Sequence, residues 1–370
     1  MLQNWLSPIP VLSSDTTIEN PSKEDFGNKI KRFRKRFPKL KDTQIAIIGI
    51  GEEQANLMRS FLYKLSFPFK NLKITDIGNV RNEQASFLIP IITELLDSGI
   101  LPLLIGNSES LTLAQFKAHK NRQQLVNLAL VDEQVRCDPD EKPTSSFYYL
   151  NELLRVKHPS LFHLDIIGCQ SHFISNPSRM LPGTTHFDFA RLGAVRSNIE
   201  LVEPLARDAD MMSFSLSALK QSEAPGHMSP SPSGLFSEEA CQICRYAGIS
   251  DKLSSMGIYG HSPSADLNHQ TAKLIAQMVW YFIDGFANRK EDYPISSDGL
   301  TEYIVDMKSM DQNLTFWKSE KSGRWWIQVP ARTKKKHQRH RLIPCSYKDY
   351  RMTCQEEIPD RLLAAFKRFI

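Results

Sequence analysis

Residues 82–106 read NEQASFLIPIITELLDSGILPLLIG, and this stretch decides the fold. Its apolar residues recur three and four positions apart, which predicts an amphipathic helix over 82–98. Gly99 ends that helix, and the apolar run at 100–106 predicts a strand that is buried on both faces. A helix that leads directly into such a strand is typical of a parallel sheet covered by helices.

The same alternation continues along the chain. Further buried strands are predicted at 44–49, 125–132, 161–168, 211–216 and 255–259. Residues 271–286 predict a strongly apolar helix. Because five or six strands alternate with helical stretches, we expect a single α/β domain over residues 42–292, in which helices cover both faces of a central parallel sheet in a three-layer α/β/α arrangement.

The two ends of the chain have a different pattern. Residues 1–41 carry no strand pattern, and Phe33 and Phe37 would share one face of a helix. Residues 293–370 contain an aromatic strand-like piece at 324–329 (RWWIQV), a basic run and a short helical end. We expect both ends to be extensions packed on the core rather than independent domains.

Charge is distributed unevenly over the 370 residues. The chain has 46 Lys and Arg against 41 Asp and Glu, a net charge of +5. Residues 29–41 carry eight of the basic side chains and residues 332–341 carry six, and neither segment contains an acidic residue. Subtracting these fourteen charges from +5 leaves −9 for the rest. The charge pattern therefore predicts an acidic body with two basic segments.

Composition excludes several classes of protein. A hydrophobic content of 41% with 24% charged residues excludes a disordered chain, collagen or a minimal disulfide scaffold. Six cysteines are too sparse for a disulfide framework, and the single C-x-x-C at Cys241 and Cys244 is interpreted as buried thiols rather than a zinc site. No leader and no long apolar span is recognisable, which predicts a cytoplasmic protein that does not bind a membrane.

In open α/β sheets, ligands bind beyond the carboxyl ends of the strands. Several stretches there and nearby are distinctive; within roughly residues 40–290 they are 76–80 (DIGNV), 106–110 (GNSES), 132–136 (DEQVR), 213–218 (SFSLSA), 224–226 (APG), 257–263 (GIYGHSP) and the helix near Thr271. In their order and spacing they resemble the ureohydrolase family of arginase, agmatinase and formimidoylglutamase, and most of all the formimidoylglutamase-like branch of bacteria. The resemblance implies an arginase-like fold.

The resemblance also implies where metal ligands would stand. Family members hold two manganese ions with G-G-x-H-S, D-x-H-x-D and S-x-D-x-D turns. In this chain the six ligand positions are occupied by Glu109, Asp132, Gln134, Arg136, Ser215 and Ser217. The glutamate that helps to bind the amidine substrate in the family is replaced by Gly260. Only Asp132 keeps the residue of the family, so the metal-binding motifs are degenerate.

This set of side chains is poorly suited to two divalent cations. Gln134 and the two serines offer only neutral oxygens, and Arg136 adds a positive charge that is not titratable at accessible pH. We expect no Mn²⁺ and no other cofactor, with Glu109 and Asp132 as the only residual candidate ligands.

Without metal-bound hydroxide the family's hydrolysis would fail. The sequence therefore predicts a pseudoenzyme that acts as a scaffold or binding protein. The alternative is an active amidine C–N hydrolase, of formimidoylglutamase or agmatinase type, with a rearranged site.

Two roles remain open for the altered pocket. Arg136 with Glu109 and Asp132 would form a charged pair or triad that braces the strand ends. Alternatively, Arg136 and the serine hydroxyls would bind a small anion or amino acid.

The histidines are interpreted as structural groups rather than as a nucleophile or single-metal site; they are His163, His172, His186, His227 and His261. No G-x-S-x-G elbow or G-x-G-x-x-G fingerprint accompanies these residues.

The basic segments are the candidate partner-binding surfaces. Their candidate side chains are Lys31, Arg32, Arg34, Lys35, Arg36, Arg332, Lys334, Lys335, Lys336, Arg339 and Arg341. They are either solvated, or bind the acidic body of another copy, an acidic protein, or a nucleic acid through phosphate contacts and aromatic stacking. The resemblance implies a homo-oligomer, either a trimer or a hexamer.

Overall fold

The fold is built on one large, mostly parallel sheet. The computed structural model describes residues 2–12, 22–120, 125–138, 140–142, 144–154, 160–174, 187–293, 298–308, 312–329 and 342–369. Within these ranges ten strands form the large sheet. In chain order β1 to β10 are Leu6–Ser7, Lys31–Arg32, Ile45–Ile50, Ile74–Val80, Leu101–Gly106, Val126–Val131, Leu161–Cys169, Phe187–Arg191, Met211–Ser215 and Ser255–Tyr259.

The strand order shows repeated crossovers. It runs β1-β4-β3-β5-β10-β9-β6-β7-β8, and β2 also pairs with β4. Only the pairing of β1 with β4 is antiparallel. The α/β class with a central parallel sheet is therefore confirmed, and each of the six predicted strands is present with ends shifted by at most one residue.

Helices cover both faces of this sheet. In chain order α1 to α11 are Phe26–Lys29, Glu52–Leu62, Ala85–Asp97, Leu111–Lys120, Leu150–Leu154, Leu192–Ser197, Val202–Asp208, Ser237–Ile249, Gln270–Ala287, Tyr347–Cys354 and Asp360–Phe369. Alternate side chains of β3 point to opposite layers, as the pleat requires. Ile45 and Ile47 pack in the core beneath α2, α8 and α9, whereas Ala46 and Ile48 pack beneath α3 and α4. These two cores make the three layers.

The N-terminal residues join the main sheet, contrary to expectation. The sequence predicted no strand before residue 41, and this was wrong, because β1 and β2 both pair with β4. Two-residue strands are too short to show a period in the sequence. Phe33 and Phe37 contact each other edge to face at 5.2 Å between ring centroids, but they follow β2 and do not lie on a helix.

The C-terminal residues form a second, smaller sheet. Its strands β11 to β14 are Leu300–Met307, Gln312–Ser319, Trp325–Gln328 and Leu342–Cys345, all paired antiparallel in that order. This sheet has its own hydrophobic core, to which α11 contributes Leu362 and Ala365. It contacts α7 through Arg207, which donates hydrogen bonds of 3.0 Å to the carbonyl oxygens of Trp325 and Cys345.

Four central strands position the candidate site. β5, β10, β9 and β6 are consecutive neighbours and all run parallel, so their carboxyl ends meet at one edge of the sheet. The candidate site residues predicted from the sequence lie at or directly after the ends of these strands. No helix among the described residues is long and apolar enough to cross a lipid bilayer.

Candidate functional site at the carboxyl ends of the strands

Asp132 and Arg136 form a buried ion pair directly after β6. Arg136 donates from Nε to Oδ2 of Asp132 at 3.1 Å and, more weakly, from Nη2 to Oδ1 at 3.5 Å. Oδ1 also accepts hydrogen bonds from the Ser217 hydroxyl at 2.9 Å and from the backbone amide of Gln134 at 3.2 Å. The guanidinium group lies over the Phe147 ring, with 4.9 Å between its carbon and the ring centroid. Both carboxylate oxygens of Asp132 are thus used within the protein.

Glu109 and His227 form a second pair at the same edge. Nε2 of His227 lies 2.9 Å from Oε1 of Glu109, and the Ser215 hydroxyl donates to the same oxygen at 3.2 Å. The hydroxyls of Ser215 and Ser217 lie 2.8 Å apart. One chain of hydrogen bonds therefore runs across the ends of the central strands. We call it the strand-end network; its members are His227, Glu109, Ser215, Ser217, Asp132 and Arg136.

Gly260 provides the space that this network needs. Its backbone φ of +98° lies in the left-handed region, and a Cβ at this position would come within 2.5 Å of Oε1 of Glu109 and 3.0 Å of the His227 ring. A side chain here would therefore displace the Glu109–His227 pair as well as strain the backbone.

The charges of the network support one another. Burial alone would raise the pKa of Glu109, but the hydrogen bond from His227 and the charge of Arg136 outweigh it and lower the pKa. Burial would lower the pKa of His227, but its contact with Glu109 outweighs this effect and raises the pKa. Both directions favour an imidazolium–carboxylate pair. Burial raises the pKa of Asp132, with repulsion from Glu109 adding to it, although Arg136 opposes the rise.

The donor set is a poor fit to two divalent cations. Asp132 and Glu109 supply two negative charges. Arg136 offsets one of them, and His227 offsets the other when its imidazole is protonated. A manganese pair carries four positive charges and binds carboxylate oxygens and neutral imidazoles. A guanidinium at hydrogen-bond distance from the remaining aspartate repels such ions and occupies its oxygens.

Gln134 and the remaining described histidines named in the sequence analysis are not side-chain members of the strand-end network. Gln134 contacts the network through its backbone amide. His261 is buried and lies 3.0 Å from Oδ2 of Asp266, whereas His172 is exposed in a short turn. His186 lies outside the described residues.

The C-x-x-C pair lies on α8. Both thiols are buried, and burial raises the pKa of Cys241 to about 12. Such thiols retain their protons at neutral pH and are inert.

His227 is the member of the network that the sequence did not assign to the site. It follows Ala224–Gly226, the APG stretch that had already been matched to the family. Its position immediately after that stretch was the signal available in the sequence. A histidine in a loop has no periodic neighbours, so pattern alone could not connect it to Glu109, which is 118 residues away.

The first basic segment lies beside the β1–β4 edge of the large sheet. Lys31, Arg34, Lys35 and Arg36 are exposed, and Arg32 lies over the Tyr63 ring at 4.9 Å. Phe33 is buried and anchors the segment, which leaves several basic side chains facing solvent. The second segment, with Arg332, Lys334, Lys335, Lys336, Arg339 and Arg341, lies outside the described residues.

Comparison with known proteins agrees with this architecture. A family model described as "Arginase family" matches residues 151–284. Formimidoylglutamase of Staphylococcus haemolyticus is 24% identical over 186 residues, which cover 49% of this chain and 60% of the relative. Formimidoylglutamase of Staphylococcus aureus is 28% identical over 86 residues, or 23% of this chain and 28% of the relative. The match thus spans less than two thirds of the length of these relatives.

Solved structures share the fold. Formimidoylglutamase from Bacillus subtilis superposes with a TM-score of 0.63 at 14% identity, covering 75% of this chain and 97% of that one. Trypanosoma cruzi formiminoglutamase with Mn²⁺ gives a TM-score of 0.59 at 19% identity, covering 68% and 96%. Together, the family model over residues 151–284, the sequence similarity to formimidoylglutamases and the shared fold relate this chain to the arginase (ureohydrolase) family.

Proposed function

We propose that this chain is a catalytically degenerate member of the arginase family that acts as a scaffold or binding protein. The observation that carries the proposal is the Asp132–Arg136 pair, in which a guanidinium group stands at a ligand position of the family's metal centre. In the proposed protein the strand-end network braces the same strand ends by ion pairs and hydrogen bonds. No dinuclear manganese centre would form there.

The proposed loss of catalysis follows from the missing nucleophile. Hydrolysis of an amidine in this family needs a hydroxide made by lowering the pKa of metal-bound water. The hydroxyls of Ser215 and Ser217 are not substitutes, because Ser215 donates to Glu109 and Ser217 donates to Asp132. His227 is separated from Ser215 by the shared carboxylate of Glu109, whereas a serine nucleophile needs its base as a direct partner.

Binding, in this proposal, takes place on the surface. The basic side chains at 31–36 would contact an acidic partner, which we propose is another copy of the chain or an acidic protein, with nucleic acid as the other outcome. A homo-oligomer, either a trimer or a hexamer, and a cytoplasmic location belong to the same proposal. Affinity capture at low and high salt separates charge-driven from apolar contacts, because salt screens exposed charges over about 8 Å at physiological ionic strength.

One observation favours the competing function, an active amidine hydrolase with a rearranged site. Glu109, Asp132 and His227 are side chains that bind metals in other proteins, and the two serines link them in one network. For a metal to bind there, the Asp132–Arg136 ion pair would have to open. A purified protein with two manganese ions per chain and hydrolytic activity on formimidoylglutamate would establish this function and refute ours.

Restoration of the ligands tests the proposal directly. The variant E109H/Q134H/R136D/S215D/S217D recreates the ligand types that the resemblance implies, and we expect it to bind manganese where the natural chain does not. Metal analysis after dialysis against Mn²⁺ measures the difference. The matched control adds D132N to the same variant, and it should lose most of the restored binding. Equal manganese content in the natural and restored chains would contradict the proposal.

A further inference from the structure

We propose that His163, Asp165 and Asp188 bind one divalent transition-metal ion, of the Zn²⁺ class, at a site separate from the strand-end network. The sheet register brings these residues together. Asp165 of β7 is the direct partner of Asp188 of β8, so their side chains lie on the same face of the sheet. His163 precedes Asp165 by two positions on β7 and therefore points to that face as well.

The distances match a metal coordination shell. Nε2 of His163 lies 3.1 Å from Oδ1 of Asp165 and 3.4 Å from Oδ2 of Asp188, and one ligand atom from each residue lies within 4.8 Å of the others. In tetrahedral zinc sites, bonds of about 2.0–2.2 Å put neighbouring ligand atoms about 3.3–3.6 Å apart. Imidazole nitrogen and carboxylate oxygen are both ligands that Zn²⁺ accepts.

Burial makes the charge of this cluster significant. His163 and Asp165 are each only 1% exposed. His163 carries a positive charge only if its imidazole is protonated. With neutral imidazole the three side chains carry a charge of −2, which equals in magnitude the charge of one divalent cation. Neutral imidazole is also the form in which histidine binds a metal.

A fourth oxygen is available on the neighbouring strand. Asn127 of β6 is the register partner of His163, and its side chain is buried. Its Oδ1 accepts no hydrogen bond within the described part of the chain. An orphaned carbonyl oxygen beside His163 suits a fourth ligand, or the acceptor for a metal-bound water. Asp188, with 36% of its side chain exposed, provides the entry route for the ion.

This site is distinct from the strand-end network. Asp132 follows β6 at its carboxyl end, where Val131 pairs with Ile167, whereas His163 pairs with Asn127 near the beginning of the same strand. Four residues of strand separate His163 from Ile167, which is about 13 Å. The ligand positions that the family resemblance marks lie after the strands, so this cluster is not the family's metal centre in another position.

Cobalt titration tests the site on the full-length protein. After treatment with a chelator, the chain is titrated with Co²⁺, whose visible d–d absorption is intense in tetrahedral coordination, and then with Zn²⁺ in competition. We expect a visible band that saturates near one Co²⁺ per chain and is displaced by Zn²⁺. Asp188→Asn keeps the side-chain volume at a half-exposed position, and it should weaken Co²⁺ binding at least tenfold.

Three controls make the result decisive. Glu109→Gln, in the strand-end network, and Cys354→Ser, at the exposed thiol, should leave the cobalt band unchanged. Asp188→Cys should retain binding and add a thiolate-to-cobalt charge-transfer band in the near ultraviolet. The proposal is refuted if the natural chain gives no d–d band, or if Asp188→Asn binds Co²⁺ with unchanged affinity. A band that is lost in Glu109→Gln instead would assign the metal to the strand-end network and refute both proposals.

Discussion

Two buried arginine–aspartate pairs in this protein have the same chemistry but different geometry. Arg59 of α2 forms two hydrogen bonds with Asp76 of β4, from Nε to Oδ2 at 2.8 Å and from Nη2 to Oδ1 at 2.9 Å, and both side chains are fully buried. Arg136 approaches Asp132 less closely, at 3.1 and 3.5 Å. The first pair joins a helix to the middle of a strand, whereas the second lies beyond the end of one.

The surroundings of the two pairs explain the difference. Asp76 also accepts a hydrogen bond from the Tyr63 hydroxyl at 2.8 Å, and Arg59 donates to the carbonyl oxygen of Gly78 at 2.9 Å. These partners lie on or next to β4 and α2, so regular secondary structure fixes their positions. Asp132 instead accepts hydrogen bonds from Ser217, in the short 3-10 helix after β9, and from a backbone amide. The comparison indicates that the family-like DIGNV motif at 76–80 serves the fold, while the strand ends carry the altered positions.

Removal of Arg59 should have the largest effect. Arg59→Met keeps much of the side-chain volume but leaves the Asp76 carboxylate buried without its cationic partner, which costs about 3–5 kcal/mol. Urea denaturation followed by circular dichroism measures the change in the free energy of unfolding. Asp42→Asn is the control, because it removes an exposed ion pair with Lys73 and should change stability by less than about 1 kcal/mol. A loss no larger than that of the control would contradict the structural role of the Arg59 pair.

Removal of Arg136 should destabilise the chain less. Arg136→Met leaves Asp132 with its serine and amide donors, so we expect a loss of about 2–3 kcal/mol, at or below the lower end of the range for breaking a buried pair. The double variant Asp132→Asn/Arg136→Met removes both charges and should recover part of this loss. Urea denaturation of the natural chain, Arg136→Met, Asp132→Asn and the double variant provides the double-mutant cycle. If the single variant is as stable as the natural chain, the ion pair does not brace the strand ends.

The contrast between the two regions also explains what the sequence could predict. Residues 44–49 form an almost unbroken apolar run, which predicts a strand, and the observed strand is Ile45–Ile50. Ile74–Val80 is equally buried, but Asp76 and Asn79 interrupt its apolar run, so pattern alone did not predict it. Those polar residues are tolerated in a buried strand because Arg59 pairs with them, a contact that depends on the tertiary fold.

The candidate site shows the same limit. The resemblance assigned Glu109, Asp132 and Ser215 to strand ends, and the parallel topology brings those ends together. His227 could not be assigned from spacing, because a loop returns it to Glu109 across the sheet. The hydrogen-bonded pairing of the two serines likewise depends on side-chain directions in the turn after β9, which sequence periodicity does not encode.

Ser217→Ala tests the link between the two halves of the strand-end network. Removal of its hydroxyl takes one hydrogen bond from the Asp132 carboxylate and one from Ser215, which should cost about 1–2 kcal/mol. Ser264→Ala, at an exposed position, is the matched control and should change the free energy of unfolding very little. A loss equal to that in the control would mean that Ser217 does not connect the network.

The smallest expected effect is a dependence of stability on pH that comes from His227. The pKa of His227 is raised above its ordinary value of 6.5, so its contribution is complete below that pH and is lost as the pH rises through the folded-state pKa. The pKa of Glu109 is lowered below 4.5, so its contribution is complete above that pH and is lost as the pH falls through the folded-state pKa. The pair should therefore stabilise the chain most between pH 4.5 and 6.5.

His227→Gln keeps a hydrogen-bond donor but cannot become charged, so the variant should lose the decline in stability above this window, a difference of less than about 1 kcal/mol. Urea midpoints of the natural chain and the variant, measured from about pH 5.5 to about pH 8.5, detect this difference. Parallel pH profiles for the two chains would show that the charge of His227 does not contribute to stability through Glu109. This half of the strand-end network would then differ from the Arg59–Asp76 pair, whose role rests on an ion pair.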